Sequence, residues 1–142
     1  MSKQSNKEIV RRYFEEVLDG KKVYLTEQLF TTDCIIHRPE SVNPIVGLDG
    51  IRNIVSGSCE RFSQFETRIY DTIAEGDRVV SRVSHFGAYK TGWISRVGHH
   101  SVEGKKVRWN AIAIFRIKDG KIAEEWVCRD ELGMLLQLGV FL

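Results

Sequence analysis

Val107-Arg108-Trp109-Asn110-Ala111-Ile112-Ala113-Ile114-Phe115-Arg116-Ile117, then Lys118-Asp119-Gly120-Lys121, then Ile122-Ala123-Glu124-Glu125-Trp126-Val127-Cys128 is the stretch that decides the fold. Its first part is the cleanest strand pattern in the chain, rich in β-branched and aromatic residues at period two. Asp119-Gly120 tolerates the positive φ that a tight hairpin requires, so Ile122–Cys128 reads as the returning strand. Upstream, Arg78–Tyr89 reads as a long strand, with a weaker one from Lys90 to about Val97. Phe65–Ala74 reads as the strand before it, turned through Glu75-Gly76-Asp77.

Ahead of Phe65 the apolar period is that of a helix. Ser5 and Glu8 form a capping box, and Ile9, Val10, Tyr13, Phe14, Val17 and Leu18 repeat on one stripe. Asp19-Gly20 reads as a left-handed stop. A short helix carries Tyr24, Leu25, Gln28 and Leu29, and Cys34–His37 reads as a short strand ended by Pro39. Ser41–Gly47 reads as a loop. Asp49 is placed to cap a third helix with Ile51, Ile54, Val55, Cys59 and Phe62 on its apolar face. Glu131–Leu138 can form a last helical turn or two. Three helices followed by a meander of long strands predict an α+β fold, because parallel crossovers would need helices between the strands. The expectation is three N-terminal helices packed on a curved antiparallel sheet, a cone with an internal pocket.

The 142 residues suit one domain, 1–142, able to bury its own core without disulfides or metal. A net charge of +2 does not single out a nucleic-acid or membrane partner. Cys34, Cys59 and Cys128 form no Cys-x-x-Cys pair, which speaks against a disulfide framework or zinc site and for a reducing compartment. No apolar run approaches a membrane span, and the first residues lack a signal-peptide core; the reading is cytoplasmic. No phosphate loop, nucleophile elbow or His-Glu-x-x-His is present.

Gly76-Asp77-Arg78-Val79-Val80-Ser81-Arg82, with Gly87 beyond it, resembles a strand of the SnoaL-like polyketide cyclases, or ester cyclases. The run from Phe115 through Asp119-Gly120-Lys121-Ile122 to Trp126, then Asp130 and Leu135-Leu136-Gln137-Leu138-Gly139, resembles that family's ending. Gly47-Leu48-Asp49-Gly50-Ile51 resembles its entry to the third helix. The resemblance runs the length of the chain in order. It implies the nuclear-transport-factor-2-like cone, a homodimer, and acid–base chemistry with neither metal nor organic cofactor. Asp130 matches the aspartate that moves the proton in the family's intramolecular aldol closure. The partner histidine falls at Ala113 and a second family histidine at Tyr89, so the original cyclase chemistry does not carry over unchanged.

Strand parity groups Val79, Ser81, Val83, His85, Gly87 and Tyr89 on one face, Trp109, Ala111, Ala113 and Phe115 on another, and Trp126, Cys128 and Asp130 on a third. The resemblance turns all three inward. Asp130 is then either the general base or acid, or simply the N-cap of the terminal helix. His85 is the candidate second catalytic residue, replacing the missing histidine. Tyr89, His37, Trp109, Phe115 and Trp126 are the expected substrate contacts. His99 and His100 sit in a turn with no third metal ligand at suitable spacing. The expected function is ring closure or isomerisation of a small, largely apolar carbonyl compound. Epoxide hydrolysis is a neighbouring alternative, and a non-catalytic module that binds a hydrophobic ligand or dimerises is a third. The uncovered sheet face and the tail Val140-Phe141-Leu142 are expected to form a homodimer.

Overall fold

The computed structural model describes residues 3–140. Helix α1 spans Lys3–Arg12 and runs on as a π-helical segment, Tyr13–Asp19. It begins ahead of Ser5, which therefore lies inside the helix instead of capping it. The stop differs in detail as well. Gly20 keeps an ordinary φ of −77° and the left-handed residue is Lys21, at φ 59°. Gly20 is needed for closeness, since a Cβ there would lie 2.6 Å from the Glu16 carbonyl oxygen.

A 3₁₀ turn, Val23–Leu25, leads into α2, Thr26–Leu29, and strand β1, Phe30–His37. The expected loop contains a short strand, β2, Ile45–Val46. Helix α3, Gly47–Arg61, carries Asp49 in its first turn, with Val46 at the capping position. Strands β3, Phe62–Glu75, and β4, Arg78–Tyr89, form the first long hairpin. The expected weak strand is instead a separate small hairpin, β5, Trp93–Ser95, against β6, Gly98–His100. Strands β7, Lys106–Lys118, and β8, Lys121–Arg129, turn on Asp119 and Gly120, both at positive φ. Helix α4, Glu131–Gln137, closes the described chain.

The main sheet has six strands in the order β2-β1-β8-β7-β4-β3. It is mixed, which corrects the expected all-antiparallel sheet: β1 runs parallel to β8. Tight turns make consecutive strands antiparallel, but no local signal orients two strands separated by most of the chain.

Along β7 burial alternates residue by residue, with Val107, Trp109, Ala111, Ala113 and Phe115 facing inward. Ile9, Val10, Tyr13, Phe14, Ile51 and Val55 from α1, its π continuation and α3 complete the core beneath them. A second apolar cluster at the open end joins Phe62, Tyr89, Trp93 and Trp109 to Met134 and Leu135 of α4.

Two irregularities decide what faces inward. Between β7 and β8, Ile117 pairs with Ile122 but Arg116 pairs with Glu124, so Ala123 is an extra residue. A one-residue bulge inverts the parity of everything after it. Counting by twos from the buried Ile122 would turn Trp126 inward. With the bulge, Glu125, Val127 and Arg129 lie opposite the inward Phe115, Ala113 and Ala111, and Trp126 lies opposite the outward Ile114. Between β3 and β4 a similar shift around Tyr70 brings Thr67, not Arg68, opposite His85.

Candidate functional site

The inner face of the sheet, α3 and the small hairpin enclose a cavity of about 430 Å³. Its apolar wall is Phe62, Phe65, Trp93, Trp109, Ala111 and Val127, and Tyr89 and His85 contribute polar groups. Phe62 can lie flat along β4 because Gly87 beneath it has no side chain; a Cβ there would sit 2.6 Å from the ring.

His85 is buried within a box of rings: Phe65 at 5.1 Å, Trp109 at 5.4 Å and Phe14 at 6.1 Å between centroids. Its Nδ1 lies 2.9 Å from Thr67 Oγ1. The Thr67 hydroxyl donates to Asp19 Oδ1 at 2.7 Å, and the Thr67 backbone N–H donates to Asp19 Oδ2 at 2.9 Å. Because that hydroxyl proton is committed to Asp19, Thr67 can only accept from His85, which assigns the imidazole proton to Nδ1. Nε2 then carries the free lone pair, and it has no hydrogen-bond partner among the described residues. Burial, reinforced by the charges of Arg38 and Arg129, pushes the His85 pKa down to about 4. The ring is therefore neutral at neutral pH and can accept a proton. Burial also raises the Asp19 carboxyl above its usual range, against the two bonds from Thr67. Burial pushes the Tyr89 phenol up to about 12, which keeps it an O–H donor.

Three arginines complete the lining: Arg38 just after β1, Arg61 at the end of α3 and Arg129 at the end of β8. Among the described residues Glu40 is the lone carboxylate on the wall, 3.8 Å from both Arg38 and Arg129. Arg129 also reaches Glu131 at 3.3 Å, but Glu131 is shared with Arg96. Deeper in the core, Glu125 is buried with one carboxyl oxygen lacking a partner.

The expected site residues fall into two groups. His85, Tyr89 and Trp109 share the cavity as parity indicated. Phe115 faces inward but lies below the cavity, fully buried and edge-on to Tyr13 and Phe14. Trp126 and His37 correct the expectation, because both lie on the outer sheet face. Their rings stack at 5.3 Å, His37 Nε2 lies 2.6 Å from Glu124 Oε2, and Arg78 packs over Trp126. Asp130 is likewise outside the cavity. Its exposed carboxylate caps α4, accepting from the Gly133 N–H at 2.9 Å.

Sequence parity missed Arg129 because of the bulge at Ala123. It missed Thr67 because of the shift at Tyr70. Arg38 and Arg61 stand at element ends, where periodicity carries no information about direction. Among the described residues no group of three or more His, Cys, Asp or Glu side chains could hold a metal, and no helix is long and apolar enough to cross a membrane.

A family model described as SnoaL-like polyketide cyclase matches residues 8–138. No curated protein matches the chain. Among solved structures, TsrD from Streptomyces laurentii superposes with a TM-score of 0.85 at 19% identity, covering 99% of each chain. IdmH from Streptomyces antibioticus does so at 0.80 and 20%, covering 95% of this chain and 99% of its own. An LEH-like epoxide hydrolase from M. tuberculosis gives 0.74 at 15%, covering 96% and 90%. At these identities the likeness shows a shared fold.

Proposed function

The chain belongs to the SnoaL-like polyketide cyclase family, and from that premise we propose that it is an acid–base enzyme moving a proton on a small carbonyl compound held in the cavity. The observation that carries this reading is the Asp19–Thr67–His85 chain, which ends on an aromatic cavity wall. His85 Nε2 is the base that removes a proton from the carbon beside the carbonyl. Thr67 and Asp19 hold the ring and stabilise the imidazolium as it forms. Tyr89 donates its O–H to the oxygen on which charge develops. The resulting enolate is the nucleophile for ring closure, or is reprotonated elsewhere in an isomerisation. Imidazole alone suffices for these transfers, so the proposal invokes no cofactor. Asp130 is left to its capping role.

Proton–deuterium exchange at the α-carbon of 1-tetralone in D₂O, followed by NMR, tests this without the natural substrate. The protein is expected to accelerate exchange over buffer, and His85→Gln to lose about 100-fold of that acceleration. Asp130→Asn is expected to retain it. Loss in Asp130→Asn with retention in His85→Gln would return the base to Asp130. A second reading, a binding module without catalysis, is favoured by Ala113 at the family's histidine position and by the outward Asp130. No acceleration by the wild-type protein would support it.

The homodimer is proposed on the outer sheet face, where Ile73 is 64% exposed and Ile112 52%, with Tyr70 and Ile114 beside them. Phe141 and Leu142, expected to assist, lie outside the described residues. Light scattering at micromolar concentration is expected to give twice the chain mass, and a monomer would refute the proposal.

A further inference from the structure

The cavity carries more positive charge than proton transfer on a neutral ketone needs. Arg38 follows β1, Arg129 ends the neighbouring parallel strand β8, and Arg61 ends α3, so three separate elements deliver guanidiniums to one space. Arg61 has no ion pair and no side-chain hydrogen bond among the described residues. Its pKa is lowered first by burial and then by the charges of Arg129 and Arg38, so the three cations repel one another where solvent screening is weak. The Nε atoms of Arg38 and Arg129 are buried without partners. Gathering like charges and leaving buried donors unpaired is costly. An occupant that accepts those hydrogen bonds would remove both costs.

We infer that the substrate is an aromatic or otherwise ring-bearing carboxylic acid, its carboxylate bound by Arg61, Arg38 and Arg129 and its ring packed on Trp109, Phe65 and Trp93. A carboxylate fits better than a phosphate. Glu40 already takes up part of the charge of Arg38 and Arg129, and Glu131 also contacts Arg129. Arg38 and Arg129 each already have a carboxylate within 4 Å, and Arg61 is the guanidinium left for the ligand's carboxylate. Planar guanidinium forks also match a carboxylate in two-bond geometry. This substrate class rests on the proposed catalytic reading and extends it. Arg38 and Arg129 are the same charges that, after burial, hold His85 unprotonated. An anion seated on them would make His85 a stronger base only once the acid has bound.

Binding measurements with 2-naphthoate and its neutral isostere 2-naphthamide decide the matter without any turnover. Trp93 and Trp109 line the cavity, so quenching of tryptophan fluorescence reports occupancy, and calorimetry checks it. The expected result is that 2-naphthoate binds at least about tenfold more tightly than 2-naphthamide, the scale of one charge-assisted interaction. Arg61→Gln is expected to abolish that preference while leaving 2-naphthamide binding unchanged. Equal affinities, no binding of either, or a preference that survives in folded Arg61→Gln and Arg129→Gln would each overturn the inference. Inorganic phosphate competing better than benzoate would overturn the choice of carboxylate. The 1-tetralone exchange reads the base with a neutral compound, and the 2-naphthoate–2-naphthamide comparison reads the arginines without turnover, so failure of the catalytic reading and failure of this one are separately visible.

Discussion

Phe115→Ala is expected to cost about 3–5 kcal/mol of folding free energy, the range for removing a fully buried aromatic side chain. Phe115 has no exposed surface and stands at the centre of the ring cluster, 6.0 Å from Tyr13 and 5.8 Å from Phe14 between centroids. It belongs to strand β7 and touches the π-helical continuation of α1, so it ties the helical layer to the sheet. Its neighbours on either strand cannot collapse into the gap without breaking ladder hydrogen bonds. A domain of this size has about 5–15 kcal/mol in total, so the variant should stand near the limit of folding. Urea denaturation measures the loss. Phe115→Leu, which keeps most of the volume, should fold and bind 2-naphthoate like the wild type, because Phe115 lies beneath the cavity. Little loss of stability in Phe115→Ala, with weakened binding in Phe115→Leu, would restore it as a substrate contact.

Glu125→Gln is expected to change how stability depends on pH. The Glu125 carboxyl sits on the inner face, opposite Phe115 on β7 and Ile36 on β1. Burial pushes its pKa up to about 7, with the charge of Arg38 acting in the opposite direction. The folded value lies above the unfolded one, so the stabilisation it represents is complete below about pH 4.5 and is lost as pH rises through about 7. A shift of that size corresponds to about 3 kcal/mol. His85 works in the opposite sense. Its folded pKa is about 4 against an ordinary 6.5, so its contribution is complete above about 6.5 and is lost as pH falls toward 4. The two slopes oppose each other in mildly acidic solution. Comparing wild type with Glu125→Gln removes the His85 contribution, which both share. Between about pH 5 and pH 8 the wild type should lose about 2–3 kcal/mol relative to the variant. Parallel curves across that range would show that Glu125 ionises freely.

The family relation and much of the element order could be read from local pattern. Asp119-Gly120 dictates a tight hairpin through the backbone freedom of its residues, and β7 alternates strictly because one face meets the core and the other does not. His85, Tyr89 and Trp109 reach the cavity by the same alternation, so parity found them. Parity failed on β8, where the extra Ala123 exchanges inside for outside. That single residue replaces Trp126 and Cys128 with Val127 and Arg129 as inward groups. Asp130, just beyond that strand, lies outside the cavity lining and caps α4. Thr67 became the partner of His85 only through the shift at Tyr70. The three arginines meet because β1 lies parallel to β8 and α3 ends beside them. Sequence determined what is local: turns, periods and capping residues, each fixed by a few neighbouring φ and ψ angles. Register across strands, the orientation of distant strands and the direction of residues at element ends depend on long-range packing, and only the tertiary structure decided them.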